Sequence, residues 1–377
     1  MKKRTIIFVA NRGFALYNSR LMLMRHFLRN GWNVIAITGL DRYTDMLKNE
    51  GISIEPIHVM RGNISIINDL KLYLRLKKIY KQYDPTLIHH FHSKPVILGT
   101  LAGRKRRKFG TRIVNTITGI GNAINTEGKK KIPAGLGYKL AISKNDRVVF
   151  QNADDLDCFH KSGWVQNNSE RLIVSSGVDI HRFSSIRNRN DRKNIKILMI
   201  SRLLWQKGVG EFLEAARLVK KQLPNVEFLL AGEFDSKHPD AVSESALKKY
   251  TESNIVKFLG YIDKPENLYH EVDLFVFPSY YREGVPRVVL EAAACNLPVI
   301  GCDVPGTREA IIDGKTGYLV NPKNIIQLAK KITELANDHD KRVKMGDAAH
   351  EFMKSEFDIN IITEKYLDIY REVGIEI

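Results

Sequence analysis

Short apolar runs alternate with amphipathic stretches along almost the whole chain. In the first half, Ile6 to Ala10, Val34 to Thr38, Ile52 to His58, Thr86 to His90 and Ile113 to Thr118 read as strands. Between them lie helical patterns, such as Leu21, Leu23, Met24, Phe27 and Leu28 before Gly31, and Leu70 to Tyr80. Ile197 to Ile200, Val226 to Ala231, Val256 to Phe258, Leu274 to Phe277, Val299 to Gly301 and Gly317 to Val320 repeat the order in the second half. Such strand–helix alternation predicts parallel sheets wrapped by helices, an α/β chain with two doubly wound halves. The 377 residues are enough for two domains, each with its own core. The polar stretch Ser184 to Asn194 reads as the linker, which sets domains at 1–183 and 195–356.

The richest stretch is Ser279 to Ala294, SYYREGVPRVVLEAAA. It follows the buried-strand pattern Leu274 to Phe277; Gly284 relaxes the backbone, and Pro286 suits the first position of a helix. The helix amino end then faces the loop holding Glu283, a ready anion site. Glu291 lies eight residues on, about two turns deeper. A ligand with a diphosphate in the middle and hydroxyl-rich groups at both ends suits this layout; an ordinary strand–loop–helix unit with two solvated glutamates is the alternative.

Ser201 to Ala215, SRLLWQKGVGEFLEA, supplies cations on a second strand-to-helix loop. Arg202 offers a bidentate fork for phosphate oxygens, Lys207 a point charge, and Gly208 and Gly210 close backbone approach. Singly, each cation could be a solvated surface residue. Two such loops in one sheet favour a ligand.

Arg202, Lys207-Gly208 and Glu283-Gly284 through Glu291, as E-x7-E, resemble the retaining nucleotide-sugar glycosyltransferases of family 4. His89 to Gly99 and Asn115 to Asn122 resemble the bacterial members that extend polyprenyl-diphosphate-linked sugars, N-acetylgalactosaminyltransferases among them. The resemblance implies a GT-B fold, two Rossmann-like domains facing a cleft, with the acceptor on the first, the donor on the second, and a final helix (357–377) packing back on the first. It implies that Arg202 and Lys207 hold the diphosphate and stabilise the leaving nucleotide in place of a divalent metal. Glu291 would bind ribose hydroxyls; Glu283, with the N–H groups of Gly284 and Val285, would position the donor sugar and phosphate, and Arg287 would add charge. Glu233, after Gly232, falls near the nucleotide, and Gly13 would admit the donor diphosphate or the acceptor. His92 and Lys94 fall where that subgroup lines its acceptor or donor-sugar pocket. The family often carries a His-Gly pair where this chain has Thr118-Gly119-Ile120-Gly121, so either His92 takes that role or no such side chain is needed.

The expected reaction moves an N-acetylhexosamine, such as N-acetylgalactosamine, from a UDP-sugar to a polyprenyl-diphosphate-linked saccharide, with retention, front-face attack, no cofactor and no metal. Alternatives are a transferase with a soluble acceptor, or a non-catalytic membrane- or polyanion-binding protein of the same fold.

The net charge of +17 is confined to the first half: residues 1–150 hold 28 Lys and Arg against 8 Asp and Glu. No nucleic-acid-binding signature accompanies it. The runs Arg104-Lys105-Arg106-Arg107-Lys108 and Lys129 to Lys131 therefore read as a dock for an anionic membrane, although solvated loops and a nuclear-localisation signal share their composition. No apolar stretch approaches the roughly 18 to 20 residues of a membrane span. The apolar run in MKKRTIIFVA is too short for a signal peptide, and Cys158, Cys295 and Cys302 lack metal or disulfide spacing. A reducing, cytoplasmic setting at the inner membrane face follows as the expectation. The His89, His90 and His92 cluster is read as non-metal because strand alternation separates the first two. Asp154 to Asp157 reads as first-turn helix acids rather than a D-x-D metal motif.

Overall fold

The computed structural model describes residues 4–59, 65–119, 131–142, 147–165, 169–184, 194–236 and 238–377. Gly121, Lys129, Lys130 and most of the expected linker lie outside the described residues. In chain order the strands are β1 Thr5–Val9, β2 Asn33–Thr38, β3 Ser53–Pro56, β4 Leu87–Phe91, β5 Arg112–Ile117, β6 Arg147–Phe150, β7 Glu170–Leu172, β8 Lys196–Ile200, β9 Glu227–Ala231, β10 Lys257–Phe258, β11 Leu274–Phe277, β12 Val299–Cys302 and β13 Gly317–Val320. The helices are α1 Gly13–Arg29, α2 Arg42–Asn49, α3 Ile66–Tyr83, α4 Thr100–Gly103, α5 Lys131–Ala141, α6 Ala153–Lys161, α7 Val209–Gln222, α8 Glu244–Glu252, α9 Pro265–Tyr269, α10 Arg287–Ala294, α11 Ile325–Asn337, α12 His339–Phe352 and α13 Ile359–Glu372.

Two parallel sheets result, one of seven strands in the order β3-β2-β1-β4-β5-β6-β7 and one of six in the order β10-β9-β8-β11-β12-β13. Strands covered on both faces must be apolar at consecutive positions, and β1 and β11 are buried along their whole length. In the first sheet Ile6 and Phe8 face Met24 and Phe27 of α1 and Tyr370 of α13, while Ile7 and Val9 face Leu72 and Leu76 of α3. In the second, Phe212, Leu213, Ala216 and Val219 of α7 are the buried stripe that their spacing announces. Among the described residues no helix is long and apolar enough to cross a membrane.

The chain divides into two compact units, residues 1–176 with 359–377, and residues 177–358. The boundary thus falls between Ser176 and Gly177 rather than after Phe183. The Val178 N–H donates to the Phe357 carbonyl at 2.8 Å, and Phe183 accepts from the Cys295 thiol at 3.0 Å, so residues 177–183 belong to the second unit. Helix α13 packs in the first unit, where Arg147 and Arg171 both bond Glu372.

Three local expectations need correcting. Helix α1 starts at Gly13, well before Leu21, where the apolar helical pattern of the sequence begins. Its amino end is bonded from afar: Asp41 accepts the Phe14 N–H at 2.9 Å, so no local capping signal marks the start. Helix α10 starts at Arg287, with Pro286 as its cap, because the Pro286 carbonyl already accepts the Val289 N–H at 3.1 Å. The Arg104 to Lys108 run is a turn of 3-10 helix, Arg104–Phe109, rather than an open loop.

His89 and His90 do point to opposite faces of β4. His89 meets the Tyr370 hydroxyl at 2.5 Å and the Thr116 hydroxyl at 2.7 Å, and His90 meets the Tyr80 hydroxyl at 2.9 Å and the Asn115 side-chain carbonyl at 2.9 Å. Both rings are fully buried. Asp154 and Asp155 lie in the first turn of α6, where Asn152 accepts the Asp155 N–H at 2.7 Å.

Candidate active site

Each sheet reverses its winding at one place, between β1 and β4 in the first unit and between β8 and β11 in the second. Ligands of open parallel sheets bind outside the carboxyl ends of the strands at such a reversal. In the second unit, the loop after β8 carries Arg202 to Lys207, and the loop after β11 carries Ser279 to Pro286.

Glycines let these loops touch. Gly208 has φ of 79°, and a Cβ there would lie 2.2 Å from the Pro278 carbonyl oxygen. Gln206 accepts from the Tyr280 N–H at 3.2 Å, which stitches the loops together. Gly306, with φ of 94°, brings in the loop after β12, since a Cβ there would lie 2.4 Å from the Glu283 carbonyl oxygen. Gly210 makes no such loop contact; its missing Cβ faces the Trp205 ring at 3.3 Å.

Three cation–carboxylate pairs line the site. Lys207, buried, is hydrogen-bonded to Glu283, with the Tyr281 ring 5.1 Å from its ammonium. Arg287 bonds Glu291 at 3.0 Å, one helical turn apart on α10, and both are largely buried. Arg202 lies 3.6 Å from Asp235, at the exposed rim. The sequence pattern finds Arg202, Lys207, Glu283, Arg287 and Glu291, and the structure brings all five to the carboxyl end of one sheet. The Lys207–Glu283 and Arg202–Asp235 pairs are what it does not reveal, because their partners arrive from different loops, whereas Arg287 and Glu291 stand at an i,i+4 helix spacing.

Two residues escape the sequence reading. Asp235 lies two positions after Glu233 in the loop following β9, and its only signal is an acid at a strand's carboxyl end. Tyr269 ends α9, is buried, and donates to Glu291 at 3.3 Å. Burial and the nearby Glu291 carboxylate push the Tyr269 hydroxyl well above its usual range, so it remains a donor. Glu233 itself has an exposed side chain, and its carbonyl accepts the Leu203 N–H at 3.1 Å. Gly284 and Val285 are buried at the foot of α10.

In the first unit, the loops after β1 and β4 meet where the Asn11 N–H approaches His92 Nδ1 at 3.5 Å. His92 has φ of 71°, a conformation costly for a side chain with a Cβ and frequent at functional sites. Lys94 is ion-paired to Asp69 of α3 at 2.7 Å. Gly13 has a packing reason of its own, since a Cβ there would lie 2.6 Å from an Asp41 carboxylate oxygen. Of the basic run, Arg106 is paired to Asp84 and lies over Phe109, and Arg104 bonds the Leu140 carbonyl, while Lys105 and Lys108 are exposed. The five cations are therefore not equivalent.

Comparison with known proteins gives this geometry its family. The model for glycosyl transferases group 1 matches residues 182–352, and the model for glycosyl transferase 4-like domains matches residues 5–152. The chain belongs to the group 1, family-4-like glycosyltransferases. It is 28% identical, over 97% of its length and 98% of the relative's, to an N,N'-diacetylbacillosaminyl-diphospho-undecaprenol alpha-1,3-N-acetylgalactosaminyltransferase of Campylobacter jejuni. A UDP-Gal:alpha-D-GlcNAc-diphosphoundecaprenol alpha-1,3-galactosyltransferase of Escherichia coli is 25% identical over 82% of this chain and 81% of its own. Among solved structures, Anabaena HepE in complex with UDP and glucose superposes with a TM-score of 0.80 at 20% identity, over 98% of this chain and all of that one. The fold of this glycosyltransferase is therefore GT-B.

Proposed function

We propose that this glycosyltransferase moves an N-acetylhexosamine, such as N-acetylgalactosamine, from a UDP-sugar to a polyprenyl-diphosphate-linked saccharide in the assembly of a cell-surface polysaccharide, with retention of configuration and without a metal. The observation that carries the reading is the full-length likeness to the C. jejuni enzyme. The three charge pairs at the second unit's sheet reversal supply its chemistry. A diphosphate entering the site competes with Glu283 for Lys207 and with Asp235 for Arg202, which frees the Glu283 carboxylate for sugar hydroxyls. The two cations then stabilise charge on the leaving nucleotide, a role worth several kcal/mol in a partly dry site. Glu291, oriented by Tyr269 and Arg287, takes the ribose hydroxyls. No side chain is assigned as a covalent nucleophile, so the acceptor attacks from the face the nucleotide leaves. The enzyme works peripherally at the inner face of the membrane that holds its acceptor.

The test is transfer from a panel of UDP-, GDP- and dTDP-sugars, with EDTA present, to a polyprenyl-diphosphate sugar and to a free sugar. Transfer from one UDP-N-acetylhexosamine to the lipid alone is the expected result. Transfer only to the free sugar, or none without added divalent metal, overturns it.

Tyr269→Phe probes the ribose assignment. Losing one hydrogen bond to a buried carboxylate costs about 1 kcal/mol, so KM for the UDP-sugar is expected to rise about fivefold with kcat nearly unchanged. A fall in kcat at constant KM would remove Tyr269 and Glu291 from ground-state donor binding.

A further inference from the structure

Gln151 directly follows β6 and is 5% exposed, yet its amide nitrogen is wholly enclosed and has no hydrogen-bond partner among the described residues. Buried polar groups are almost always bonded, because an unpaired one loses its hydration and gains nothing in return. Asn115 and Glu170 also leave one buried polar atom unbonded, but each is held through its other atom, Asn115 by His90 and Glu170 by His160 at 3.3 Å. The residue after Gln151 supplies the sharpest contrast. Asn152 donates to the Asp155 carboxylate at 3.0 Å and accepts the Asp155 N–H at 2.7 Å, so both ends of its amide serve the start of α6. An enclosed amide kept for folding would be used in the same way.

The place of Gln151 suggests what it meets instead. The register of Ile117 with Phe150 sets Gln151 beside Thr118 at the carboxyl end of the first sheet, the end at which ligands of such sheets bind. On its other side the Ile173 N–H donates to the Phe150 carbonyl at 2.9 Å, which brings in the loop after β7. Thr118 and Gly119 are half-buried, so solvent reaches this edge, and Gly119, with φ of 121°, leaves it without a side chain. Strand β6 lies two places from β4, so Gln151 and His92 stand roughly 10 Å apart along the sheet edge, with space for a sugar between them.

We propose that Gln151 is a specificity-determining residue for the acceptor: its amide binds a hydroxyl or acetamido group of the sugar to be extended. This rests on the reading above, which gives the acceptor to the first unit; Arg202, Lys207, Glu283 and Glu291 all lie in the second. A neutral amide offers two N–H donors and a carbonyl acceptor, which match a hydroxyl or an acetamido carbonyl and select for no charge. Enclosure makes it selective. A sugar that leaves a buried donor unpaired loses more than a correct hydrogen bond gains.

The experiment compares wild type with Gln151→Met, which keeps the length of the side chain and removes both polar ends. The acceptor is the polyprenyl-diphosphate sugar that the panel above shows to be glycosylated, together with analogues each lacking one hydroxyl or acetamido group. KM for the full acceptor is expected to rise about five- to tenfold, while KM for the UDP-sugar does not move. The thermal midpoint should rise by about 2 to 4 °C, because no unpaired amide is then enclosed. On one analogue wild type should lose the same factor, and there the variant should equal it. A structural amide gives the opposite signs, so a fall in the midpoint with the acceptor KM unmoved overturns the proposal. So does a rise in KM for the UDP-sugar, or a loss that no analogue reproduces in wild type. If only a free sugar is glycosylated, the lipid-linked reading fails, and the same comparison with that sugar and its analogues still decides for or against Gln151.

Discussion

Lys207→Met is expected to lower kcat for sugar transfer by about 10² to 10³, the usual consequence of removing one pre-placed donor aimed at developing charge. Methionine is the informative substitution because it keeps an unbranched side chain of similar length and removes only the charge, which lies 5.8 and 5.1 Å from the Phe277 and Tyr281 rings. Lys207 is buried and bonded to Glu283, so a loss of activity could reflect either lost phosphate binding or a carboxylate left without its partner. Lys207→Met/Glu283→Gln separates the two. If the pair only neutralised itself, the double variant would recover turnover. If Lys207 meets the leaving diphosphate, the double variant stays at least as slow as the single one. Near-normal turnover by Lys207→Met would remove it from the chemistry.

This pair also shows where sequence reading stops. The strand–loop–helix units, and with them the loops bearing Arg202, Lys207, Glu283 and Glu291, were legible because parallel strands buried on both faces leave uninterrupted apolar runs. That β8 and β11 are neighbours was not legible. Sheet order is a tertiary property, and only that order puts Lys207 against Glu283 and Pro278 against Gly208. Tyr269 was missed for the same reason: its buried hydroxyl matters because α9 lies beside α10, and nothing local to Pro265–Tyr269 says so.

Boundaries failed where a distant group did the capping. Gly13 reads as a loop glycine until Asp41, from the loop after β2, is seen to fill the space its side chain would need and to accept the Phe14 N–H. An exposed apolar strip on α3 went unread for a different reason. The inner stripe of Leu72, Leu76 and Ile79 already satisfies the helical period, and extra apolar residues at Ile66, Ile67 and Leu70 look like more of the same core until their exposure is known.

The second large effect is acid destabilisation of the first unit. Burial pulls His90 down to about 3, with Arg107 adding to the fall, and burial pulls His89 well below its ordinary range, helped by Arg20. A neutral His90 ring with its proton on Nδ1 is fully used: Nδ1 then donates to the Asn115 side-chain carbonyl, which also accepts from the Thr100 hydroxyl at 2.8 Å, and Nε2 accepts from the Tyr80 hydroxyl. Above about pH 6.5 both rings are neutral in the folded and the unfolded chain, so the histidines add no pH dependence there. Below it the unfolded chain takes up protons that the folded chain refuses, and stability falls by about 1.4 kcal/mol per pH unit for each ring until the folded value is reached. For His90 alone the loss by pH 3 is on the order of 5 kcal/mol. Between pH 6.5 and 5 carboxylates contribute little, and the slope there belongs to the histidines, with a smaller share from His26, which burial also lowers. Amide hydrogen exchange along β1 and β4 reads this opening free energy directly. His90→Gln should start less stable at pH 7.5 and lose about one proton's worth of slope below pH 6.5. An unchanged slope would mean that His90 titrates normally in the folded chain, and that burial does not hold it neutral against the opposing pull of the Asn115 hydrogen bond.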